Sequence, residues 1–396
     1  MLAGVYLHIP FCKSRCSYCD FATDVYRNND AVERYVDTVC VEIKEFLPQM
    51  NADVADKDVA SDLRSPRSSV AYFSSDIDTI YFGGGTPSLL APNQVEKILS
   101  AVDSTFSVAS SPEVTMEMNP ATVTLEKLKD YKSLGVNRAS FGVQTFDDTE
   151  LKRLARGHNA DDARTTFRLL RESGFDNISF DLIAGLPRQT LADWERNLDE
   201  ALALQPEHLS LYLLEIHEGT PLATQVGDGR QPMPDEDLAA EMYELMLAKV
   251  TAAGYEQYEI SNFAKPGFES KHNTKYWRLE PVYGYGVSAH SFDGYHRYAN
   301  ERDTTKYVER IEGFAGAEVM RERTDAASEF VFLGLRLNCG IDLADYKARF
   351  GADLEEKYSA ELRELRDAGL IEISETNFHL TRKGMLFSNE VFRVFV

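Results

Sequence analysis

The sequence predicts an α/β fold, in which a complete or partial β/α barrel of parallel strands is followed by a small winged-helix-like α+β domain. Two observations predict the barrel: strand-like and helix-like segments alternate along most of the chain, and 396 residues suffice for a barrel with a domain appended. A third observation predicts the second domain, because from about Thr324 the alternation gives way to helices and a hairpin. We therefore assign residues 1–320 to the barrel and residues 321–396 to the second domain.

The predicted barrel consists of short apolar strands, each followed by a helix whose apolar residues recur every three or four positions. The run from Val5 to Ile9 is the first strand, and the others are 78–82, 114–118, 138–143, 178–183, 208–213 and 255–261. The predicted helices are 31–47, 94–106, 125–134, 160–173, 191–204 and 238–253. Strands that alternate with helices in this way pair in parallel, with the helices as crossover connections.

One segment of the barrel has a different composition. Residues 49–76 are rich in serine, asparagine and aspartate and poor in apolar side chains. A segment of that kind cannot bury much surface, so we expect an exposed insertion between the first helix and the second strand.

The second domain is predicted from helices at 329–336, 343–350 and 354–368, followed by strands at 370–373 and 378–380. Three helices and a two-stranded wing describe a winged-helix module, a fold that often binds DNA. Residues 321–396 carry 14 acidic and 11 basic side chains, a net charge of −3. A protein that binds the duplex presents a basic face, so the charge argues against DNA binding here.

The charge of the whole chain excludes further classes. With 64 acidic and 42 basic residues the net charge is −22, which repels phosphate backbones and anionic lipids. We expect no nucleic-acid partner. The sequence shows no membrane span and no secretory signal, so we expect a cytoplasmic protein for which only peripheral membrane contact is conceivable.

Three of the five cysteines lie close together in the sequence, as Cys12-x3-Cys16-x2-Cys19. Three thiolates in one tight loop can reach three corners of a [4Fe–4S] cluster, which leaves the fourth iron open to an exchangeable small molecule. Cys40 and Cys339 are solitary. A zinc site, or three unrelated cysteines, are the alternatives, although structural zinc usually takes two separated ligand pairs and no second pair is present.

Polar or glycine-rich elements follow five successive predicted strands. The cysteine loop follows the first strand, and the sequence Gly83-Gly84-Gly85-Thr86-Pro87 follows the second. Glu117, Gln144 and Asp181 end the next three. Functional residues of β/α barrels gather at the carboxyl ends of the strands, so these elements form one rim. Such a rim, with Arg156 as a cation for a carboxylate, suits a ligand with an amino-acid end and a nucleoside end, such as S-adenosylmethionine.

The cysteine spacing resembles the hallmark of the radical S-adenosylmethionine superfamily. Further motifs resemble the oxygen-independent coproporphyrinogen III oxidase family within it. They are Tyr6-x-His8-Ile9-Pro10-Phe11-Cys12, Gly84-Gly85-Thr86-Pro87-Ser88, Phe141-Gly142-Val143-Gln144 and Asp181-Leu182-Ile183-x-Gly185-Leu186-Pro187. The resemblance spans nearly the whole chain, including the second domain.

The sequence is more similar to the haem chaperone (HemW) branch of that family than to the oxidase branch. The oxidase branch has a fourth cysteine two residues after the third and a long N-terminal extension, whereas here Phe21 occupies the fourth position and eleven residues precede Cys12. The chaperone branch has phenylalanine there and a His-Asn-x-x-Tyr-Trp motif, present here as His272-Asn273-Thr274-Lys275-Tyr276-Trp277. The resemblance therefore implies a haem chaperone, with oxidative decarboxylation of coproporphyrinogen III to protoporphyrinogen IX as the alternative.

The resemblance implies roles for individual residues. Cys12, Cys16 and Cys19 would ligate the cluster, and S-adenosylmethionine would contact Tyr6, Gly84, Gly85, Thr86, Glu117, Gln144, Arg156 and Asp181. Haem-acceptor proteins and an electron donor are the implied partners. Whether S-adenosylmethionine is cleaved, and so whether the protein is an enzyme, stays open; a pure electron carrier or a winged-helix redox regulator is a third class.

For haem, the resemblance makes His272 the candidate iron ligand, with Tyr276 and Trp277 available to stack on a porphyrin. The alternative is a histidine that forms hydrogen bonds beside packed aromatic rings. His217 and His290 are further candidates without motif support. The aromatic stretch 276–298 could line a porphyrin site or belong to the core.

Overall fold

The computed structural model describes residues 2–26, 28–54 and 75–396. Most of its strands belong to one twelve-stranded sheet, and the rest form a three-stranded and a two-stranded sheet. The strands are β1 (Ala3–Ile9), β2 (Phe11–Cys12), β3 (Asp24–Val25), β4 (Asp76–Gly84), β5 (Ser107–Met118), β6 (Arg138–Gln144), β7 (Ile178–Ala184), β8 (His208–Leu213), β9 (Glu256–Glu259), β10 (Asn262–Ala264), β11 (Val282–Tyr285), β12 (His290–Phe292), β13 (His296–Asn300), β14 (Glu318–Arg323), β15 (Ile341–Asp342), β16 (Ile371–Ile373) and β17 (Asn377–Leu380).

The large sheet has a parallel centre and antiparallel margins. Its strand order is β14-β13-β12-β11-β1-β4-β5-β6-β7-β8-β10-β9. Pairing is parallel from β11 to β8, and Val5 of β1 lies between Tyr283 and Ile80 of its two neighbours. The strands outside this centre pair antiparallel. The predicted α/β class is confirmed, and the barrel is a partial one.

Helices connect the parallel strands and cover the sheet. In chain order the helices are Asn29–Val54, Pro92–Thr105, Leu125–Ser133, Asp148–Arg153, Ala160–Glu172, Leu191–Leu204, Pro221–Gly227, Glu236–Ala252, Lys271–Trp277, Thr304–Glu312, Ala326–Gly334, Leu343–Phe350, Leu354–Lys357, Ser359–Asp367, Arg382–Leu386 and Ser388–Phe392. Several begin at a side-chain cap; for example, the Thr190 hydroxyl accepts a hydrogen bond from the Asp193 amide, and the Asp193 carboxylate accepts one from the Thr190 amide.

The sheet is the centre of the main hydrophobic core. Every residue of β6 is buried, and β1 and β7 are buried except for one half-exposed residue each. A parallel sheet covered on both faces needs apolar strands of this kind. The C-terminal helices and the sheet β15-β17-β16 enclose a second core around Tyr346 and Phe378, and Met385 packs against both cores.

Some elements differ from the prediction. The first helix continues to Val54 rather than ending at residue 47, and Tyr358 separates two helices where one was predicted over 354–368. Residues 255–261 do not add a parallel strand, because β9 and β10 pair antiparallel; the parallel set is instead extended beside β1 by β11, which the sequence did not predict. Most of the predicted insertion 49–76 lies outside the described residues.

Two further features concern boundaries. β14, which ends at Arg323, pairs with β13 in the large sheet, and the domain boundary at residue 320 stays a prediction. Within the described ranges, no helix is both long enough and apolar enough to cross a membrane.

Candidate functional site

The three clustered cysteines lie in a loop directly after β1. β2 and β3 pair in parallel, Phe11 with Asp24 and Cys12 with Val25, so the chain between them forms a loop whose two ends lie side by side. Cys12, Cys16 and Cys19 are free thiols and are half-buried. The spacing seen in the sequence therefore becomes one short loop at the carboxyl end of the first strand.

The loop borders a cavity of about 630 Å³ at the carboxyl ends of the parallel strands. This volume lies within the range of about 300–1,000 Å³ typical of small-molecule sites. Nine of the residues predicted for the cluster and S-adenosylmethionine line it: Cys12, Cys16, Cys19, Gly84, Gly85, Glu117, Gln144, Arg156 and Asp181. The rim expected from the sequence is thus one continuous surface.

Glu117 is an acidic residue of this surface whose carboxylate is held by two hydrogen bonds. Its carboxylate accepts hydrogen bonds from the Tyr81 hydroxyl at 2.8 Å and from the Gly84 amide at 3.0 Å. Burial raises the pKa of Glu117 to about 7, and the nearby carboxylate of Asp181 contributes to the rise. Burial also raises the pKa of Asp181. A cationic or hydrogen-bond-donating ligand would stabilise the ionised form of both groups.

Arg156 joins the cavity to the cysteine loop. Its Nη1 donates to Cys16 Sγ and to the Tyr18 hydroxyl, both at 3.4 Å. Its Nη2 donates to Asn119 Oδ1 at 2.8 Å and to the Gly142 carbonyl at 2.6 Å. The buried Nε has no hydrogen-bond partner in the described structure. A half-buried guanidinium with an unsatisfied donor fits an anionic ligand such as a carboxylate.

Asn119, to which the sequence assigned no role, connects Arg156 to a second cysteine. Its Nδ2 donates to Thr86 Oγ1 at 2.7 Å, and that hydroxyl donates to Cys12 Sγ at 3.5 Å. Two of the three thiols are therefore bound by one hydrogen-bond network. Asn119 follows β5 at the same sheet edge as Glu117, and its position next to Pro120 is the signal that could have drawn attention to it.

The glycines after β4 are required by close packing. A Cβ on Gly84, whose φ is +106°, would lie 2.7 Å from the His8 ring, and one on Gly85 would lie 2.6 Å from the Pro10 carbonyl oxygen. Only glycine tolerates such an approach without a shift of the backbone. The glycines thus hold the strand end against the start of the cysteine loop, and they leave backbone exposed to the cavity.

Two residues predicted to contact S-adenosylmethionine lie behind the cavity surface. The Tyr6 hydroxyl is hydrogen-bonded to His8 Nδ1 at 3.0 Å, and the His8 Nε2 lies 2.9 Å from the Ala22 carbonyl oxygen. Thr86 is buried and contacts Cys12 as described above. The structure does not bring Tyr6 or Thr86 into the cavity lining with the other predicted residues.

His272 is buried, with 1% of its surface exposed. Its Nδ1 is 2.9 Å from Thr79 Oγ1, its Nε2 is 3.2 Å from the Tyr276 hydroxyl, and its ring stacks on Tyr81 with centroids 4.9 Å apart. Burial lowers its pKa to about 3. Both ring nitrogens are engaged, which matches the hydrogen-bonded alternative better than an open haem ligand.

The other candidate histidines are more exposed. His217 lines the cavity, and its side chain is 44% exposed. His290 is an exposed residue of β12 and is not part of the cavity lining. In the aromatic stretch 276–298, Tyr283, Tyr285 and Phe292 are buried and pack in the two hydrophobic cores, so these three belong to the core.

The C-terminal region supplies part of the cavity lining, which the sequence did not predict. Met385, Leu386, Ser388 and Asn389 face the cavity from the helices Arg382–Leu386 and Ser388–Phe392. The Tyr243 hydroxyl donates to Met385 Sδ at 3.8 Å, and Arg382 forms an ion pair with Glu244. These contacts join the C-terminal helices to the barrel at the cavity.

The residues present fit the cofactors implied by the sequence. Three free, half-buried thiols suit a [4Fe–4S] cluster, whose standard ligand is cysteine thiolate. Burial raises the pKa of Cys12 and raises that of Cys19 to about 11, so iron binding at neutral pH displaces their protons. The exposed glycine backbone, the two half-buried carboxyls and the unsatisfied Arg156 Nε suit the amino-acid and ribose groups of S-adenosylmethionine.

A partial β/α barrel with three cysteines in one loop, at the carboxyl ends of its strands, defines the radical S-adenosylmethionine class of proteins. The family model for the radical SAM superfamily matches residues 6–201, and the model for the HemN C-terminal domain matches residues 322–387. The coproporphyrinogen III oxidase HemN of Escherichia coli, a radical SAM enzyme, has the same fold, with a TM-score of 0.80, 23% identity and coverage of 100% of this chain and 90% of that chain.

Comparison with known sequences narrows the class. The haem chaperone HemW of Bacillus subtilis is 36% identical over 100% of this chain and 99% of its own length, and HemW of Escherichia coli is 32% identical over 99% and 98%. A mitochondrial radical S-adenosyl methionine domain-containing protein 1 of Bos taurus is 32% identical over 97% and 85%. The chain belongs to the HemW family of the radical SAM superfamily, as its motifs predicted.

Proposed function

We propose that this protein is a haem chaperone, which binds haem and passes it to an acceptor protein, and which carries one [4Fe–4S] cluster with exchangeable S-adenosylmethionine. The observation that carries the proposal is Phe21, which stands where the oxidase branch has a fourth cysteine. Its ring is 61% exposed and borders the cavity. An exposed aromatic ring beside the cysteine loop suits the apolar face of a porphyrin. The identity to HemW chaperones over the full chain supports the same function.

In this proposal Cys12, Cys16 and Cys19 hold the cluster. Gly84, Gly85, Glu117, Gln144, Arg156 and Asp181 contact S-adenosylmethionine, while Tyr6 and Thr86 support the site from behind its surface. The cluster, when bound, supplies one-electron chemistry toward the sulfonium. Arg156 orients the ligand carboxylate and the cysteine loop together, because it reaches both. In this proposal the protein transfers haem rather than catalysing a reaction.

The partners in this proposal are haem-acceptor proteins and an electron donor, and the compartment is the cytoplasm. The net charge of −22 supports protein partners over nucleic acid, since an acidic surface repels phosphate backbones.

The alternative is oxidative decarboxylation of coproporphyrinogen III, and the two functions separate in one anaerobic experiment. The reconstituted full chain is incubated with coproporphyrinogen III, S-adenosylmethionine and a reductant, and in parallel is titrated with haem. We expect a Soret band that saturates with haem, and CO2 release no greater than that of the Cys16→Ala control. CO2 release that requires S-adenosylmethionine and Cys16 would replace the chaperone with the oxidase.

A further inference from the structure

We propose that haem binds at the mouth of the cavity, with His217 as an axial ligand of its iron and the exposed ring of Phe21 against the porphyrin. The inference rests on the proposed haem-chaperone function and deepens it, because it names the iron ligand and the place of binding. Among the described residues that line the cavity, His217 is the one histidine.

The backbone holds His217 in a defined position beside the cysteine loop. Its carbonyl oxygen accepts hydrogen bonds from the Thr220 amide at 3.3 Å and from Thr220 Oγ1 at 2.7 Å. Two residues later the Leu222 amide donates to the Ser17 carbonyl at 2.8 Å, which connects this segment to the loop between Cys16 and Cys19. A ligand bound to the His217 ring would therefore lie next to the cysteine loop.

The imidazole of His217 is available for iron, unlike that of His272. In the part of the chain that the structure describes, its charged neighbours are Asp20 Oδ2, 3.7 Å from Nδ1, and Glu215 Oε2, 3.8 Å from Nε2. Both distances exceed hydrogen-bond length, so neither nitrogen is blocked. A carboxylate next to one nitrogen of a ligating histidine orients the ring and makes the other nitrogen a better ligand. In a haem complex one of Asp20 and Glu215 would take that position, since the iron occupies the other nitrogen.

Aromatic side chains of the same cavity lining offer a surface for a flat ligand. Phe21 and Tyr212 are both large, 61% and 40% exposed, and border the same cavity. Exposed aromatic rings that border one cavity indicate an apolar partner, and a porphyrin would cover them. Arg15 is exposed on the same lining, where its Nη2 donates to the Cys19 carbonyl at 3.1 Å. Its charge can pair with a haem propionate, which the acidic chain would otherwise repel.

The test is a titration of the full, anaerobically reconstituted chain with ferric haem, followed by absorption spectroscopy. Wild type, His217→Gly and His290→Ala are compared, with His290→Ala as the matched control because His290 is exposed and outside the cavity lining. We expect His217→Gly to shift the Soret band and to weaken haem binding by about tenfold or more. Removal of a group that only hydrogen-bonds to a metal ligand already costs about tenfold in affinity, and loss of the ligand itself should cost at least as much. Added free imidazole should restore the band of wild type.

A second variant separates the ligand from the apolar surface. Phe21→Ser should weaken haem binding but leave the position of the Soret band unchanged, since Phe21 does not touch the iron in this arrangement. The inference is overturned if His217→Gly binds haem with the affinity and spectrum of wild type. If the His217 site is overturned but wild type still binds haem, the chaperone function is retained. If wild type binds no haem, both the His217 site and the chaperone function are overturned.

Discussion

Arg156 Nη1 lies 3.4 Å from Cys16 Sγ, to which it donates a hydrogen bond across a sequence separation of 140 residues. The same guanidinium reaches Asn119 and the Gly142 carbonyl, which lie at the ends of β5 and β6. The barrel strands therefore set the position of the cysteine loop before any iron is bound. A preformed loop of this kind lowers the entropy cost of assembling a cluster on it.

The network around Arg156 predicts that Arg156→Lys destabilises the apoprotein. A lysine ammonium is a single point of donors and cannot span Cys16, Asn119 and Gly142 at once. At least one buried acceptor loses its partner, which costs about 1–3 kcal/mol in the free energy of unfolding. Urea denaturation under anaerobic conditions measures this loss in the free energy of unfolding. The control is Arg164→Lys, which affects an exposed ion pair with Glu200 and should change stability little. Equal stability of Arg156→Lys and wild type would contradict the structural role.

The cysteine assignment predicts that Cys16→Ala loses the cluster while the fold is kept. Cys16 is half-buried in a loop, so removal of its thiol leaves the barrel core intact. Iron and sulfide contents and the broad visible absorption of the reconstituted protein are the measurements. Cys339→Ala, which removes an exposed thiol outside the cavity, should retain full iron and sulfide. If Cys16→Ala also retains both, Cys16 is not a cluster ligand.

The raised pKa of Glu117 predicts a pH dependence of stability. Burial raises the pKa to about 7 from a usual 4.5, so between these values the unfolded chain has released a proton that the folded protein still holds. The contribution of Glu117 to the free energy of unfolding therefore falls by up to about 3 kcal/mol as pH rises from 4.5 to 7. Above pH 7 this contribution no longer changes with pH.

Comparison with Glu117→Gln isolates this contribution, because the amide does not titrate and the other groups are common to both proteins. Urea denaturation of metal-free wild type and variant at several pH values gives the difference in their free energies of unfolding. As pH rises from 4.5 to 7, the free energy of unfolding of the variant should increase relative to that of wild type. A difference that is constant with pH would show that Glu117 does not titrate there.

The burial of His272 predicts a structural effect of His272→Phe. The replacement keeps a ring to stack on Tyr81 but leaves the hydroxyls of Thr79 and Tyr276 without their partner. We expect a loss of about 2 kcal/mol or more in the free energy of unfolding, and an unchanged Soret band in the folded fraction. Thermal denaturation and haem titration give the two readouts. A folded variant without the Soret band would establish His272 as the ligand and remove His217.

The barrel and its rim were predictable from the sequence because their signals are local. The three cysteines span eight residues, and Glu117, Gln144 and Asp181 each end a strand whose apolar run is short and clear. Parallel pairing then brings these ends to one edge, so that strand prediction was enough to place the residues around one cavity.

The remaining features depend on contacts between distant parts of the chain. β11 pairs with β1, almost 280 residues earlier, and its four residues carry little pattern of their own. The engagement of His272 depends on Thr79, at a sequence separation of 193 residues, so a motif that looks like a ligand in sequence is hydrogen-bonded in the fold. The C-terminal helices reach the cavity through tertiary contacts, such as the packing of Met385 against both hydrophobic cores. No local pattern encodes these pairings.

Haem transfer is the most direct measure of the central claim. The full chain, reconstituted anaerobically and loaded with haem, is mixed with an excess of an apo-haem protein such as apomyoglobin, and the Soret spectra of both proteins are followed after separation. The chaperone function predicts one haem per chain before mixing and its appearance on the acceptor afterwards. A chain that takes up no haem, or that releases CO2 from coproporphyrinogen III instead, would contradict it.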